Sequence, residues 1–175
     1  MVRRVLVTTA LEYTWPKDGS PILFLGEWCK LYERKHVWEK LDYEVAPYHW
    51  DDRQKLSNDY NNLLVVYEDA LRALADKLNQ IHGVSHSLRY WRILIGPWLG
   101  YFIQMLFDRC FMLDATFRNH DLAGVSVLHR EPHDVVPSDM SDFTRRFVDD
   151  DWNEAIYHQL ILLFFSQELE ATLVN

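Results

Sequence analysis

Three short segments carry side chains whose types and spacing can do chemistry, and each follows a run that reads as a β-strand. The first is Thr8-Thr9-Ala10-Leu11-Glu12-Tyr13-Thr14-Trp15, behind the apolar run Val5-Leu6-Val7. Ligands of open α/β sheets bind at the carboxyl ends of strands, which gives this loop a functional reading. The hydroxyls of Thr8 and Thr9 can donate to a phosphate or a sugar. Glu12 can accept from a hydroxyl as a catalytic base, and Trp15 can stack on a sugar ring. The competing reading is a structural crossover whose aromatic residues fill the core. The second segment is His49-Trp50-Asp51-Asp52-Arg53, directly after the strand-like run Tyr43 to Tyr48. His49 and Asp51 are candidates for a base and its orienting carboxylate, with Trp50 as a substrate contact. Against that stands a plain helix start, with Asp51 as the cap and Asp52 stabilised by the first turn. The third is Gly26-Glu27-Trp28-Cys29-Lys30, after Ile22-Leu23-Phe24-Leu25. Here Glu27 is a candidate substrate contact, set against an exposed charge at a helix start. Cys29 reads as a small core hydrophobe rather than a nucleophile, because no activating base lies next to it.

Two arginines, Arg89 and Arg92, stand near the start of a helix where the dipole opposes them. An anionic ligand such as a nucleotide diphosphate or an acidic sugar would compensate them, and so would nearby carboxylates. The histidines of His129-Arg130-Glu131-Pro132-His133-Asp134 are spaced like some metal ligands, but the cluster offers too few of them for a zinc site. Asp149-Asp150-Asp151 contains the Asp-x-Asp pattern of metal-dependent sugar transferases, yet acidic residues before a helix are explained as caps. No metal site is therefore assigned. Gly-x-Gly-x-x-Gly, the phosphate loop, His-Glu-x-x-His and Gly-x-Ser-x-Gly are all absent, which excludes several large enzyme classes.

The elements that must position these residues follow from periodicity. Short apolar runs at Val5–Val7, Ile22–Leu25, Tyr43–Tyr48 and Val125–Leu128 predict strands. Glu27 to Lys40 reads as partly helical. From Tyr60 to Ile81, apolar residues recur at steps of three and four, predicting a long amphipathic helix that ends at Gly83. Ser85 or Ser87 caps a further helix through Leu88 to Phe117, kinked at Pro97. Gly96 and Gly100 mark the close approach of a neighbouring backbone. Pro137-Ser138-Asp139 opens a mostly helical region read as running to Asn175, with no stop signal or polar tail, which fits a chain that continues. Strands alternating with helices predict a single α/β domain over residues 1–175 with a parallel sheet.

Composition sets the class. The chain has 175 residues, 49% hydrophobic and 14% aromatic, with 25% charged, which suits a folded core rather than disorder. A net charge of -8, with scattered basic residues, argues against nucleic acid as a partner. The two cysteines, Cys29 and Cys110, form no Cys-x-x-Cys motif. The apolar run at the start is too short for a signal core, and Ile93 to Met112 is broken by Gln104, Asp108 and Arg109 before it could span a bilayer. A cytoplasmic location without a transmembrane segment is the expectation.

Four stretches carry a resemblance: Thr8-Thr9-Ala10-Leu11-Glu12, Leu23-Phe24-Leu25-Gly26-Glu27-Trp28-Cys29, Pro47-Tyr48-His49-Trp50-Asp51-Asp52-Arg53, and Ser87-Leu88-Arg89-Tyr90-Trp91-Arg92 with its continuation to Tyr101. Together they resemble the N-terminal part of a family of transferases of bacterial O-antigen and surface-polysaccharide biosynthesis. The resemblance implies a Rossmann-like parallel sheet with several long helices, similar to the N-terminal domain of a two-domain (GT-B-like) sugar transferase. It also implies that the chain is the N-terminal portion of a longer enzyme. On that footing a nucleotide-sugar donor is held by a second transferase domain or partner chain, and no cofactor belongs to this chain. The loops after Val7, Leu25 and Tyr48 would line the cleft for a sugar or lipid-linked glycan acceptor, and the inner face of the membrane would be the place of work. The alternative from another class is a non-catalytic α/β domain that packs on a partner chain.

Overall fold

The computed structural model describes residues 2–128, 131–165 and 172–174. Its sheet has five strands, β1 (Arg4–Val7), β2 (Ile22–Phe24), β3 (Tyr43–Val45), β4 (Leu122–Leu128) and β5 (Thr172–Val174). Their order is β3-β2-β1-β4-β5, and every neighbouring pair is parallel. The central strands are apolar on both faces, as a covered parallel sheet requires. Leu6, Val7, Leu23 and Phe24 are fully buried. The edge strand β3 alternates instead, with Glu44 outward. Arg4 ties that edge to β1 through Asp42 and Glu44, both at 2.9 Å.

The chain forms two compact units, one of residues 1–48 with 110–175 and the other His49–Arg109. In the first unit, β1 is followed by a 3-10 turn at Glu12–Thr14 and then directly by β2, rather than by a crossover helix. The stretch read as partly helical resolves into 3-10 turns at Glu27–Cys29 and Tyr32–Arg34 and a single helical turn, α1 (Lys35–Trp38). The unit also contains α5 (Met140–Arg146), capped by Asp139, and α6 (Asp150–Phe164), capped by Asp149. Helix α6 packs on β4. The segment expected to be helical to the end of the chain is not so: α6 stops at Phe164, and Thr172–Val174 extends as β5 beside β4. Two β-branched residues around a leucine favour that pairing. His129, Arg130 and Asn175 lie outside the described residues.

The second unit is helical. Helix α2 (Arg53–His82) ends at Gly83, whose φ of 63° is the left-handed geometry glycine accepts without strain. Its cap is Asp52 and not Asp51: the Asp52 carboxylate accepts from the amides of Gln54 and Lys55. Ser87 caps α3 (Leu88–Leu94). Pro97 does not kink a continuous helix. The chain breaks at Ile95, and α4 (Gly96–Asn119) begins with Pro97 in its first turn, where its missing N–H costs nothing. Gly96 is needed for a side chain rather than a backbone: a Cβ there would sit 2.6 Å from the Tyr67 hydroxyl. Among the described residues, no helix is long and apolar enough to cross a membrane.

Candidate functional site

In a parallel sheet of this order the connections leave β1 and β4 in opposite directions, which opens a crevice at their carboxyl ends. The residues there are Thr8, Thr9 and Ala10 after β1, and Leu128 at the end of β4. A side chain not foreseen from the sequence joins them. Glu154, in the second turn of α6, is completely buried. Its Oε2 accepts from the hydroxyls of Thr8 and Thr9, each at 2.8 Å, and its Oε1 accepts from the amide of Leu128 at 3.3 Å. Burial pushes the Glu154 carboxyl above the ordinary glutamate range, and the hydrogen bonds from Thr8, Thr9 and Leu128 offset this only in part.

The rest of the first turn of α6 fastens the same loop. Asp150, pushed upward by burial, takes a hydrogen bond from the Ala10 amide. Asp151 accepts from the Tyr13 hydroxyl at 2.7 Å, and Asp149 from the Trp152 amide at 3.0 Å. A helix N-terminus is normally ready to receive an anion. At α6 the Trp152 amide is taken by Asp149, and Asp150 and Asp151 add negative charge to the same turn. The Asp149-Asp150-Asp151 pattern is thus a cap and a loop anchor. Among the described residues, no group of three or more histidine, cysteine, aspartate or glutamate side chains is placed to hold a metal ion.

The structure places the remaining loop candidates as follows. Trp15 is buried, its indole N–H donating to the Thr9 carbonyl at 3.1 Å, with its ring edge-on to Phe24 at 5.0 Å. Glu12 is partly exposed and forms a bidentate pair with Arg34, both contacts at 2.6 Å. That guanidinium holds the Glu12 carboxyl below its usual range, so it is ionised at neutral pH. Glu27 is largely exposed and pairs with Lys30 at 3.0 Å. Trp28 donates to the Thr8 carbonyl at 3.0 Å, and its ring lies over Gly26, where a Cβ would come within 2.1 Å. Cys29 is buried, and its thiol is pushed up to about 12 by desolvation, which removes it as a nucleophile. Thr8, Thr9, Trp15 and Trp28 are therefore held together, Thr8 and Thr9 through Glu154, while Glu12 points to Arg34 and Glu27 to Lys30.

The other candidates lie in the His49–Arg109 unit. Both ring nitrogens of His49 are engaged, Nε2 with Asp108 at 3.1 Å and Nδ1 with the Lys55 ammonium at 3.3 Å. Lys55 also pairs with Asp59, which accepts from the Trp50 indole at 2.9 Å. The rings of His49 and Trp50 lie 4.5 Å apart. Such a chain can relay or hold a proton, but His49 reaches a substrate hydroxyl only by giving up Lys55 or Asp108. Asp51 is exposed. Arg92 is taken by Glu68 in a bidentate pair at 2.5 and 2.7 Å, so a local carboxylate compensates it as one reading held. Arg89 is exposed.

Sequence reasoning missed Glu154 because it stands among the polar residues of the first turns of α6, where an acidic side chain reads as solvent-facing. The signal was present: Glu154 shares a stripe with His158 and Ile161, four and seven residues on, so it sits on the buried face. A charged residue on such a stripe must be hydrogen-bonded.

Sheet order and parallel pairing define a Rossmann-like α/β domain with a polar loop at its switch point. The chain belongs to the LIC12162 family transferase group, whose family model matches residues 4–173. No curated protein and no solved structure matches it.

Proposed function

We propose that this transferase is a sugar transferase of bacterial surface-polysaccharide (O-antigen) assembly, and that the described sheet is its acceptor-facing Rossmann-like domain. The observation that carries this reading is the row of carboxylates at the N-terminus of α6. A nucleotide diphosphate needs free amides, a helix dipole or cations. The switch point offers instead Asp149, which caps α6, and Asp150, Asp151 and Glu154, already bonded to the loop. The charge distribution agrees. The His49–Arg109 unit has seven acidic and seven basic residues, so the net charge of -8 belongs entirely to the unit that contains the sheet. An acidic, aromatic-rich edge suits neutral hydroxyl-bearing acceptors and repels phosphates. The donor nucleotide sugar is then held elsewhere, in a second transferase domain or partner chain. Glu12, partly exposed in the loop after β1, is the candidate base for an acceptor hydroxyl, and taking that proton requires one of its oxygens to leave Arg34.

The test is turnover of UDP-, GDP-, dTDP- and CMP-sugars by the full-length product of the native gene, with and without a lipid-linked glycan. Release of the nucleotide that depends on the glycan, with a matching mass gain on it, supports the reading. Transfer of an acyl or phosphoryl group instead would contradict it.

A further inference from the structure

The loop that leaves β1 covers a cleft of about 390 Å³ against β1 and β4. Val5 of β1 and Ser126 of β4 contribute to its walls, and Tyr13, Trp15, Lys17 and Asp18 of the loop supply the rest of the chemistry. Small-molecule sites run from about 300 to 1,000 Å³, so this one suits a single ring rather than an extended chain. Both aromatic residues have their polar ends tied back into the protein, Tyr13 to Asp151 at 2.7 Å and Trp15 to Thr9 at 3.1 Å. Their rings are thereby fixed before any ligand arrives, and Tyr13 remains 49% exposed. Preorganised rings lose little freedom on binding.

The polar groups at the rim differ in how far they are committed. The Ser126 hydroxyl is used, donating to the Thr14 carbonyl. Asp18 accepts from the Ser20 amide at 3.0 Å, which leaves its carboxylate further acceptor capacity. Lys17 is exposed and has no hydrogen-bond or ionic partner among the described residues. An aromatic wall with one ammonium and one carboxylate matches a ring with an apolar face and hydroxyls at its edge. The carboxylate accepts hydroxyl protons and the ammonium donates to hydroxyl oxygens. Asp18 at the rim and the acidic unit around it disfavour an anionic ring.

We propose that the cleft of Tyr13, Trp15, Lys17 and Asp18 binds one neutral pyranose ring. This rests on the sugar-transferase reading and makes the cleft a subsite for the acceptor glycan. The probes are the methyl glycosides of glucose, galactose, mannose and rhamnose at millimolar concentration, with glucuronate as the anionic control. Binding is followed on the Trp15 indole N–H and the amides of residues 13–20 by NMR. At least one neutral glycoside is expected to shift these resonances saturably, and Lys17→Ala, Asp18→Ala and Tyr13→Ala each weaken it by about tenfold with the fold unchanged. No shift with any glycoside, shifts that survive all three substitutions, or tighter binding of glucuronate would each overturn the proposal. Shifts without any nucleotide-sugar turnover would sink the transferase reading and leave the cleft as a sugar site. Turnover without shifts at residues 13–20 would do the reverse.

Discussion

Removing the Glu154 carboxylate strands two fully buried hydroxyls and leaves the half-buried Leu128 amide without its acceptor. Each buried donor left unsatisfied costs about 1–3 kcal/mol, so Glu154→Ala should lose about 3 kcal/mol or more, roughly 6–12 °C in Tm for a domain of this size. A calorimetric scan checks it, and a loss within 2 °C would mean that the loop finds other partners. The pH dependence has a definite sign. The folded carboxyl sits above its ordinary range, so its contribution is present in acid and lost as pH rises through the elevated value. Glu154→Gln cannot ionise. Its stability relative to the native protein should therefore rise as pH climbs above the ordinary glutamate range. A difference flat in pH would show that the charged form is not penalised. Glu12 is the opposite case, held low by Arg34 and ionised well into acid. Glu12→Gln should lower kcat by about 10²–10⁴-fold while KM changes little, the range for loss of a general base. Unchanged kcat would leave Glu12 only its ion pair.

At the scale of elements, the start of α2 separates a structural aspartate from an exposed one. Asp52 caps the helix, and its replacement by alanine should cost about 1 kcal/mol, roughly 2–4 °C in Tm. Asp51→Ala should leave the melting temperature in place, so any loss of activity in that variant is chemical. Equal destabilisation by both would contradict the assignment. The same pair shows what the sequence could and could not reveal. A cap was legible in the run of polar residues before an apolar stripe, but neighbouring aspartates differ only in backbone geometry, which spacing does not encode. The buried strands β1 and β2 were legible because apolar runs bounded by turn residues have few other uses. Strand β5 was not, since a short apolar tail after a helix reads as more helix until a partner strand is known. At the site, the loop after β1 was found by position alone. What it does with its hydroxyls was hidden, because the partner lies 145 residues away in Glu154.

Over the whole molecule, charge and topology point the same way. A Rossmann-like sheet places its ligand at the switch point, and here that place is acidic, aromatic and fastened by carboxylates instead of open to phosphate. On the proposed sugar-transferase reading, the phosphate-bearing half of the donor is bound elsewhere. The most direct test is to titrate the protein with UDP and GDP while following the amides of Thr8–Ala10 and Asp149–Glu154 by NMR. The account predicts that these resonances stay fixed up to millimolar nucleotide. Saturable shifts there would place the donor diphosphate at the switch point and contradict the acceptor-facing assignment.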